Sequence, residues 1–202
     1  DLGKACSRLK PFSATWDASW FVGRTGYTGE PGFEICVSNE HAVELWNALF
    51  EAGAEYDIEP IGLAARDTLR LEMKYCLYGN DIDRTTNPIE AGLGWITKLD
   101  KGDFNGKAAI QKMKEDGPTR RLVAFAVDGK AFPRHGYELY QGDNKIGVVT
   151  SGTFSPMLQK GIAMGYVAVE TAKAGTFIDV DVRGKRIPAQ IIKPPFYKKE
   201  KQ

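Results

Sequence analysis

The clearest pattern in the chain is a helical stripe. Ala42, Leu45, Trp46, Leu49 and Phe50 recur at i, i+3, i+4, i+7 and i+8, after Ser38 or Asn39 as a cap and before Gly53 as a stop. That periodicity predicts a helix over 39–53. A second helix is predicted to start near Pro60, whose fixed φ suits a first turn, and to run through Leu63, Ala64, Leu69 and Leu71 to about Met73, carrying Arg66, Asp67 and Arg70. A third, short helix is predicted over 105–115, ending at Gly117-Pro118. Residues 1–19 have no initiating Met and a polar opening; they read as a chain cut midway, with a first strand only at 19–22. Alternation predicts another strand over 33–37, with Phe33, Ile35 and Val37 on one face and Glu34 and Cys36 on the other. Turn formers and acids concentrate at 78–83, and Pro88 disfavours helix at Asn87, so a loop is expected there, followed by a short apolar strand at 92–97.

After Pro118 the texture changes to short β-branched runs separated by turn signals: 121–127, 137–140, 145–151, 162–169, 177–182 and 186–192. Such spacing predicts a small antiparallel sandwich or barrel. Hairpin turns are expected at Gly142-Asp143-Asn144 and at Arg183-Gly184. The fold class is therefore α+β, with an α+β domain over 1–117 and a small antiparallel β-barrel domain over 118–202, the charged tail 198–202 being frayed.

The balance of 27 Lys+Arg against 26 Asp+Glu over 202 residues gives no pull toward nucleic acid or an anionic membrane, and no apolar run is long enough to span a bilayer. Cys6, Cys36 and Cys76 are odd in number and widely spaced, with only His41 and His135 beside them, which predicts reduced thiols, no disulfide framework and no zinc site.

The strongest chemical signal is the stretch Arg24-Thr25-Gly26-Tyr27-Thr28-Gly29-Glu30-Pro31-Gly32-Phe33-Glu34-Ile35. Glycines at every third position suit a backbone that turns sharply or lies against a flat ligand. Glu34 is either an ordinary solvent-facing strand residue or a carboxylate aimed into a pocket. There it would accept two parallel hydrogen bonds from an N–H/NH2 ring edge, as in a pterin or guanine. Arg66 and Arg70 are one helical turn apart and share a face; alone they read as a solvated or salt-bridged face, whereas Arg66 pointing to the Glu34 cleft would add a donor fork. Asn80, Asp81 and Asp83 invite a calcium reading, but the glycine and closing glutamate of the calcium loop are missing, so no metal is expected. No phosphate-cradling glycine motif is present, and Ser151-Gly152 and Ser155-Pro156 read as a structured loop between strands rather than part of a hydrolase triad. Tyr27, Tyr75, Tyr78 and Trp95 read as core or rim, with stacking on a ring as the sharper alternative.

The blocks Thr25-Gly26-Tyr27-Thr28-Gly29-Glu30-Pro31-Gly32-Phe33-Glu34, Gly62-Leu63-Ala64-Ala65-Arg66-Asp67-Thr68-Leu69-Arg70-Leu71-Glu72, Cys76-Leu77-Tyr78-Gly79-Asn80-Asp81-Ile82, Pro88-Ile89-Glu90-Ala91-Gly92-Leu93 and Ile146-Gly147-Val148-Val149-Thr150-Ser151-Gly152, in this order, resemble the aminomethyltransferase family, the T-protein of the glycine cleavage system. Ser155-Pro156 and Ile162-Ala163-Met164-Gly165-Tyr166-Val167 extend the likeness, which runs over 10–197. The resemblance implies the remainder of a folate-binding domain with a ferredoxin-like subdomain, followed by the barrel domain. It implies transfer of the one-carbon unit of an aminomethyl group, carried on the dihydrolipoyl arm of H-protein, to tetrahydrofolate with release of ammonia. The family's folate-binding glutamate and arginine fall on Glu34 and Arg66, and a further family arginine that opens the second domain falls on Arg121.

Only the C-terminal half of the family pattern is matched. The family's catalytic aspartate lies outside it, so no catalytic residue is assigned, turnover by this chain alone is not expected, and folate binding is expected to be weak or absent. Surface that the other half would cover is expected to favour self-association. Tyr197 is a weak counterpart of a family tyrosine near the C-terminus. Thiol usage and family imply the bacterial cytoplasm or a mitochondrial matrix. The C-terminal folate module of a sarcosine or dimethylglycine dehydrogenase is an alternative, disfavoured by Cys76-Leu77-Tyr78-Gly79-Asn80-Asp81. A non-enzymatic folate-binding protein of iron-sulfur assembly is another, disfavoured because Lys74-Tyr75-Cys76-Leu77 lacks the glycine of its Lys-Gly-Cys-Tyr block. A purely structural or interaction domain is the remaining reading.

Overall fold

Helix α1 (Leu2–Ser7) and strand β1 (Ala14–Trp16) open the chain, in a stretch where the hydrophobic pattern predicts neither. The computed structural model describes residues 2–17, 19–129 and 131–198, and the expected fraying beyond Lys198 lies outside the described residues. A three-residue strand has little order of its own; β1 exists because β2 (Trp20–Gly23) pairs with it, Ala14 opposite Gly23 and Trp16 opposite Phe21. Asp17 shapes the turn between them by accepting the Ser19 and Trp20 N–H groups at 2.9 and 3.0 Å, and these donors hold its carboxyl below the ordinary range. β3 (Glu34–Val37) completes an antiparallel sheet of order β1-β2-β3.

The stripe that starts at Ala42 becomes α2 (Asn39–Gly53), with the bounds the pattern predicts, yet none of its residues is buried. α3 (Leu63–Glu72) begins three residues later than expected. Its first bond runs from the Arg66 N–H to the Gly62 carbonyl, so Pro60 stands ahead of the helix rather than in its first turn. The chain forms two compact units, Asp1–Leu69 and Arg70–Gln202.

In the second unit, the predicted strand over 92–97 is instead a series of turns. The N–H groups of Gly92, Ile96 and Thr97 each bond the carbonyl three residues back, and Gly92 sits at φ 74°. Among the described residues no strand pairs with this apolar run, and Trp95 and Ile96 are exposed. α4 (Lys107–Asp116) follows. Six strands then close a barrel in the order β4-β7-β6-β5-β8-β9: β4 (Arg120–Val127), β5 (Glu138–Gln141), β6 (Asn144–Ser155), β7 (Lys160–Ala168), β8 (Phe177–Val182) and β9 (Lys185–Ile192), with β9 returning to β4. Arg183 and Gly184 both adopt positive φ, 55° and 83°, as a two-residue hairpin loop that follows strand twist demands. A side-chain carbon at Gly147 would lie 1.9 Å from the Tyr166 carbonyl oxygen, so glycine permits the β6–β7 approach there.

Alternation along β4 sorts its residues into two cores. Val123, Phe125 and Val127 join Leu139, Val149, Val180 and Ile191 in one cluster. Leu122 and Ala124 pack on the other side with Ile162, Met164, Tyr166, Leu71 of α3 and Phe196. β6 is longer than predicted and runs on past Ser151 through Gly152 to Ser155, which therefore lie in a strand rather than a loop.

The Arg70 side chain, 1 % exposed, sits beside the fully buried Asp81. Its Nη1 donates to Asp81 Oδ2 at 2.7 Å and to the Tyr75 carbonyl at 2.9 Å, and its Nη2 to Ser151 Oγ at 2.9 Å. Asp81 also accepts the Leu77 N–H at 2.9 Å and the Thr150 and Ser151 hydroxyls at 2.5 and 3.0 Å. Consecutive strand residues normally face opposite ways; a register shift between Val149 and Ser151 lets Thr150 and Ser151 both reach one carboxylate. Nearby, Ser155 Oγ donates to Glu72 Oε1 at 2.5 Å.

Removing Asp81 would strand a buried guanidinium, a change that typically costs about 3–5 kcal/mol. Urea denaturation of Asp81→Ala is expected to show a loss of that size, and a loss near zero would show that the pair does not hold this unit. Glu90, 8 % exposed, takes Arg120 Nε at 2.9 Å and Nη2 at 3.1 Å. Burial pushes its carboxyl up, but Arg120's hydrogen bonds, the Asn87 N–H and the cation's charge outweigh that and hold it below its ordinary 4.5. A depressed folded pKa contributes stability that is present above pH 4.5 and is lost as pH falls through the folded value. Glu90→Gln should be less stable than the parent at pH 7, with the gap in unfolding midpoint shrinking as pH drops below 4.5; a gap constant with pH would refute this.

Candidate functional site around the glycine turn

The stretch between β2 and β3 is fixed at its base by Arg24. Its N–H donates to the Ser13 carbonyl at 2.9 Å and its Nη1 to the Leu9 carbonyl at 2.8 Å, while its guanidinium lies 5.8 Å from the Phe33 ring centre. Among the three glycines of the turn, only Gly29 takes a positive φ, 78°. A methyl at Gly26 would find its nearest neighbour, the Glu30 carbonyl oxygen, at 3.8 Å, and one at Gly32 would meet nothing within 4 Å. The turn itself therefore requires glycine at Gly29, while Gly26 and Gly32 leave open space on its surface.

Glu34 opens β3 at an exposed position, and exposure alternates along the strand as the pattern predicts. Its ladder partner is Gly23, which carries no side chain to crowd it. The Thr25 hydroxyl donates to Glu34 Oε2 in a short hydrogen bond. A side-chain carbon at Gly23 would come within 3.1 Å of that hydroxyl, so the glycine that keeps the Thr25–Glu34 pair in place is one outside the every-third-residue series. Arg66, exposed on α3, holds its guanidinium 4.5 Å from the centre of the Tyr27 ring. Two expected site residues thus meet the same turn: Glu34 through Thr25 and Arg66 through Tyr27. Arg70, on the same helical face, is instead consumed by Asp81 in the buried pair. Arg121 belongs to the second unit, exposed on β4 opposite Val167. Tyr197 is half-buried, its N–H bonded to the Glu72 carbonyl at 3.2 Å. Sequence reasoning missed the roles of Gly23 and Thr25; the signal was an apolar strand that ends in glycine directly opposite an acidic residue.

The second unit has a cleft of about 440 Å³, lined among others by Asn80, Asp83, Thr85, Arg120, Thr150 and Tyr166. Thr85 donates to Asp83 Oδ1 from both hydroxyl and N–H at 2.7 Å, which holds that carboxyl below its ordinary range. Glu90's hydrogen bond raises the Arg120 pKa further, and burial pushes the Tyr166 hydroxyl up, its proton directed to the Asp81 carbonyl at 3.0 Å. Each of these groups is pinned in the form it holds at neutral pH, so they offer a ligand charge and hydrogen bonds rather than proton transfer. Burial likewise pushes the Cys76 thiol up, away from the nucleophilic thiolate. Among the described residues no group of three metal-ligating side chains could hold a metal ion, and no helix is long and apolar enough to cross a membrane.

Known proteins share both parts of this arrangement. Residues 14–101 match the model of the GCVT N-terminal domain, and residues 120–198 match that of the glycine cleavage T-protein C-terminal barrel domain. An aminomethyltransferase of Bacteroides fragilis is 55% identical over 179 residues, covering 88% of this chain and 50% of its own length. One from Halothermothrix orenii is 52% identical, covering 89% and 50%. The crystal structure of glycine cleavage system aminomethyltransferase T from Bartonella henselae superposes with a TM-score of 0.88 at 38% identity, over 95% of this chain and 54% of that one. The chain spans about half the length of the curated relatives it matches. With Glu34, Arg66 and the closed barrel all falling inside the matched regions, the chain belongs to the glycine cleavage T-protein family of aminomethyltransferases.

Proposed function

We propose that this chain forms the tetrahydrofolate-binding side of an aminomethyltransferase. In that reaction the methylene carbon of an aminomethyl thioether on the H-protein lipoyl arm leaves its sulfur and nitrogen and joins tetrahydrofolate, and ammonia is released. Bound tetrahydrofolate supplies the two nitrogens that take the carbon. The residues of this chain bind and orient. Glu34, anchored through Oε2 by Thr25, would accept the N–H/NH2 edge of the pterin ring, and Arg66, steadied over Tyr27, would donate to the acceptor side; Arg121, exposed on β4, is a further candidate for folate binding. Holding two reactants in register can supply much of the rate enhancement of a bimolecular transfer.

A single observation carries this reading: an exposed carboxylate and an exposed guanidinium are each held by a residue of one glycine-rich turn whose surface is left open. No catalytic residue is assigned to this chain, and the family's catalytic aspartate is expected in the half of the family sequence outside the matched region. The chain alone is accordingly proposed to be inactive. Relatives from bacteria favour the cytoplasm.

Glu34→Gln replaces one acceptor oxygen by an amide donor that faces a donor edge, at a cost of about 1–3 kcal/mol, or roughly fivefold to 150-fold in Kd. Calorimetry on a single polypeptide that joins this chain behind the first half of the Bacteroides fragilis relative should show that loss for tetrahydrofolate. Unchanged affinity would remove Glu34 from the site.

A further inference from the structure

Glu34 stands at an exposed strand end, where a long, flexible side chain has no packing to hold it in one orientation. A hydrogen bond supplies the constraint instead. Gly23, the ladder partner of Glu34, is buried and bears no side chain, so the space across the pair is left to Thr25, whose hydroxyl donates to Glu34 Oε2. Threonine is stiff about χ1 and Thr25 is half-buried, so the donor is itself fixed. The residues that precede these two, Arg24 and Phe33, also meet. The Arg24 guanidinium, tied to the Leu9 carbonyl, lies 5.8 Å from the Phe33 ring centre and keeps the two chain segments side by side. A carboxylate has about four lone-pair sites, and Thr25 occupies one of them. Among the described residues Oε1 accepts no hydrogen bond, so one oxygen is clamped and the other is presented.

We propose that Thr25 is a positioning residue for the folate ring: by clamping Oε2 it fixes the plane of the Glu34 carboxylate, so that Oε1 and the remaining lone pair of Oε2 face a two-donor ring edge together. This rests on the reading of Glu34 as the acceptor of the pterin N–H/NH2 edge. A swinging glutamate loses rotamer freedom when it binds, and that loss weakens the complex; a glutamate fixed in the folded protein has already lost it. Thr25 acts only through Glu34 and touches no reacting atom. Gly23 belongs to the same device, since a side-chain carbon there would lie 3.1 Å from the Thr25 hydroxyl oxygen and displace it.

The test measures tetrahydrofolate affinity by calorimetry on the polypeptide that joins this chain behind the first half of the Bacteroides fragilis relative. Thr25→Val keeps the branched shape of threonine without its hydroxyl and should bind about tenfold more weakly, whereas Thr25→Ser keeps the donor and should stay within about threefold of the parent. Introduced into Glu34→Ala, the Thr25→Val change should cost less than about twofold, because the residue it acts through is gone. Gly23→Ala should weaken binding too, with a thermal unfolding midpoint no lower than the parent's, since Gly23 lies outside the positive-φ region and alanine shares its conformation. Parent-like affinity of Thr25→Val or Gly23→Ala, beside a weakened Glu34→Ala, would overturn the proposal and leave the Glu34 reading standing. So would a Thr25→Val loss that persists undiminished without Glu34. Parent-like affinity of Glu34→Ala would remove both.

Discussion

Burying Arg70 sets the terms for the loop and strand around it. A guanidinium deprived of water needs acceptors in fixed directions, and a carboxylate beside it needs donors for its remaining lone pairs; without both, desolvation outweighs attraction. The chain meets these demands with Asp81, the Tyr75 carbonyl, the Leu77 N–H and two hydroxyls from β6. The geometry explains why the irregularity in β6 falls where it does: a regular strand would turn either Thr150 or Ser151 away from Asp81. It also explains why an acid-rich loop that resembles a cation site on paper presents its central carboxylate inward, to an internal cation.

The two units differ in how their polar groups are held. The barrel region has two apolar clusters on opposite sides of β4 and an Arg120–Glu90 ion pair beside them. The turn between β2 and β3 is its opposite, with Glu34 held by Thr25 and Arg66 by Tyr27 beside a surface that Gly26 and Gly32 leave open. Binding residues are commonly displayed in this way, on connections whose scaffold is settled elsewhere.

What the sequence discloses follows from how local each cause is. The α2 stripe and the barrel strands are written in periodicity, and both hairpin loops in turn chemistry, so they were legible. β1 was not, because three residues acquire their structure only from β2. The apolar run at 92–97 misleads for the converse reason: its composition suits a strand, but strands exist by pairing and this run finds no partner. Glu34 stood out as an acid in an apolar strand, whereas Thr25, which holds it, is separated from it by nine positions and could be located only in three dimensions. Arg66 and Arg70 looked equivalent from spacing. Their different fates depend on Asp81 and Ser151, residues 11 and 81 positions beyond Arg70.

Closure of the six-stranded barrel has a consequence for how this chain behaves in a crowded solution. With β9 hydrogen-bonded back to β4, the barrel offers no row of unsatisfied amides and carbonyls along a strand flank. Among the described strands, open edges that could template pairing with another molecule belong to β1 and β3 of the small sheet.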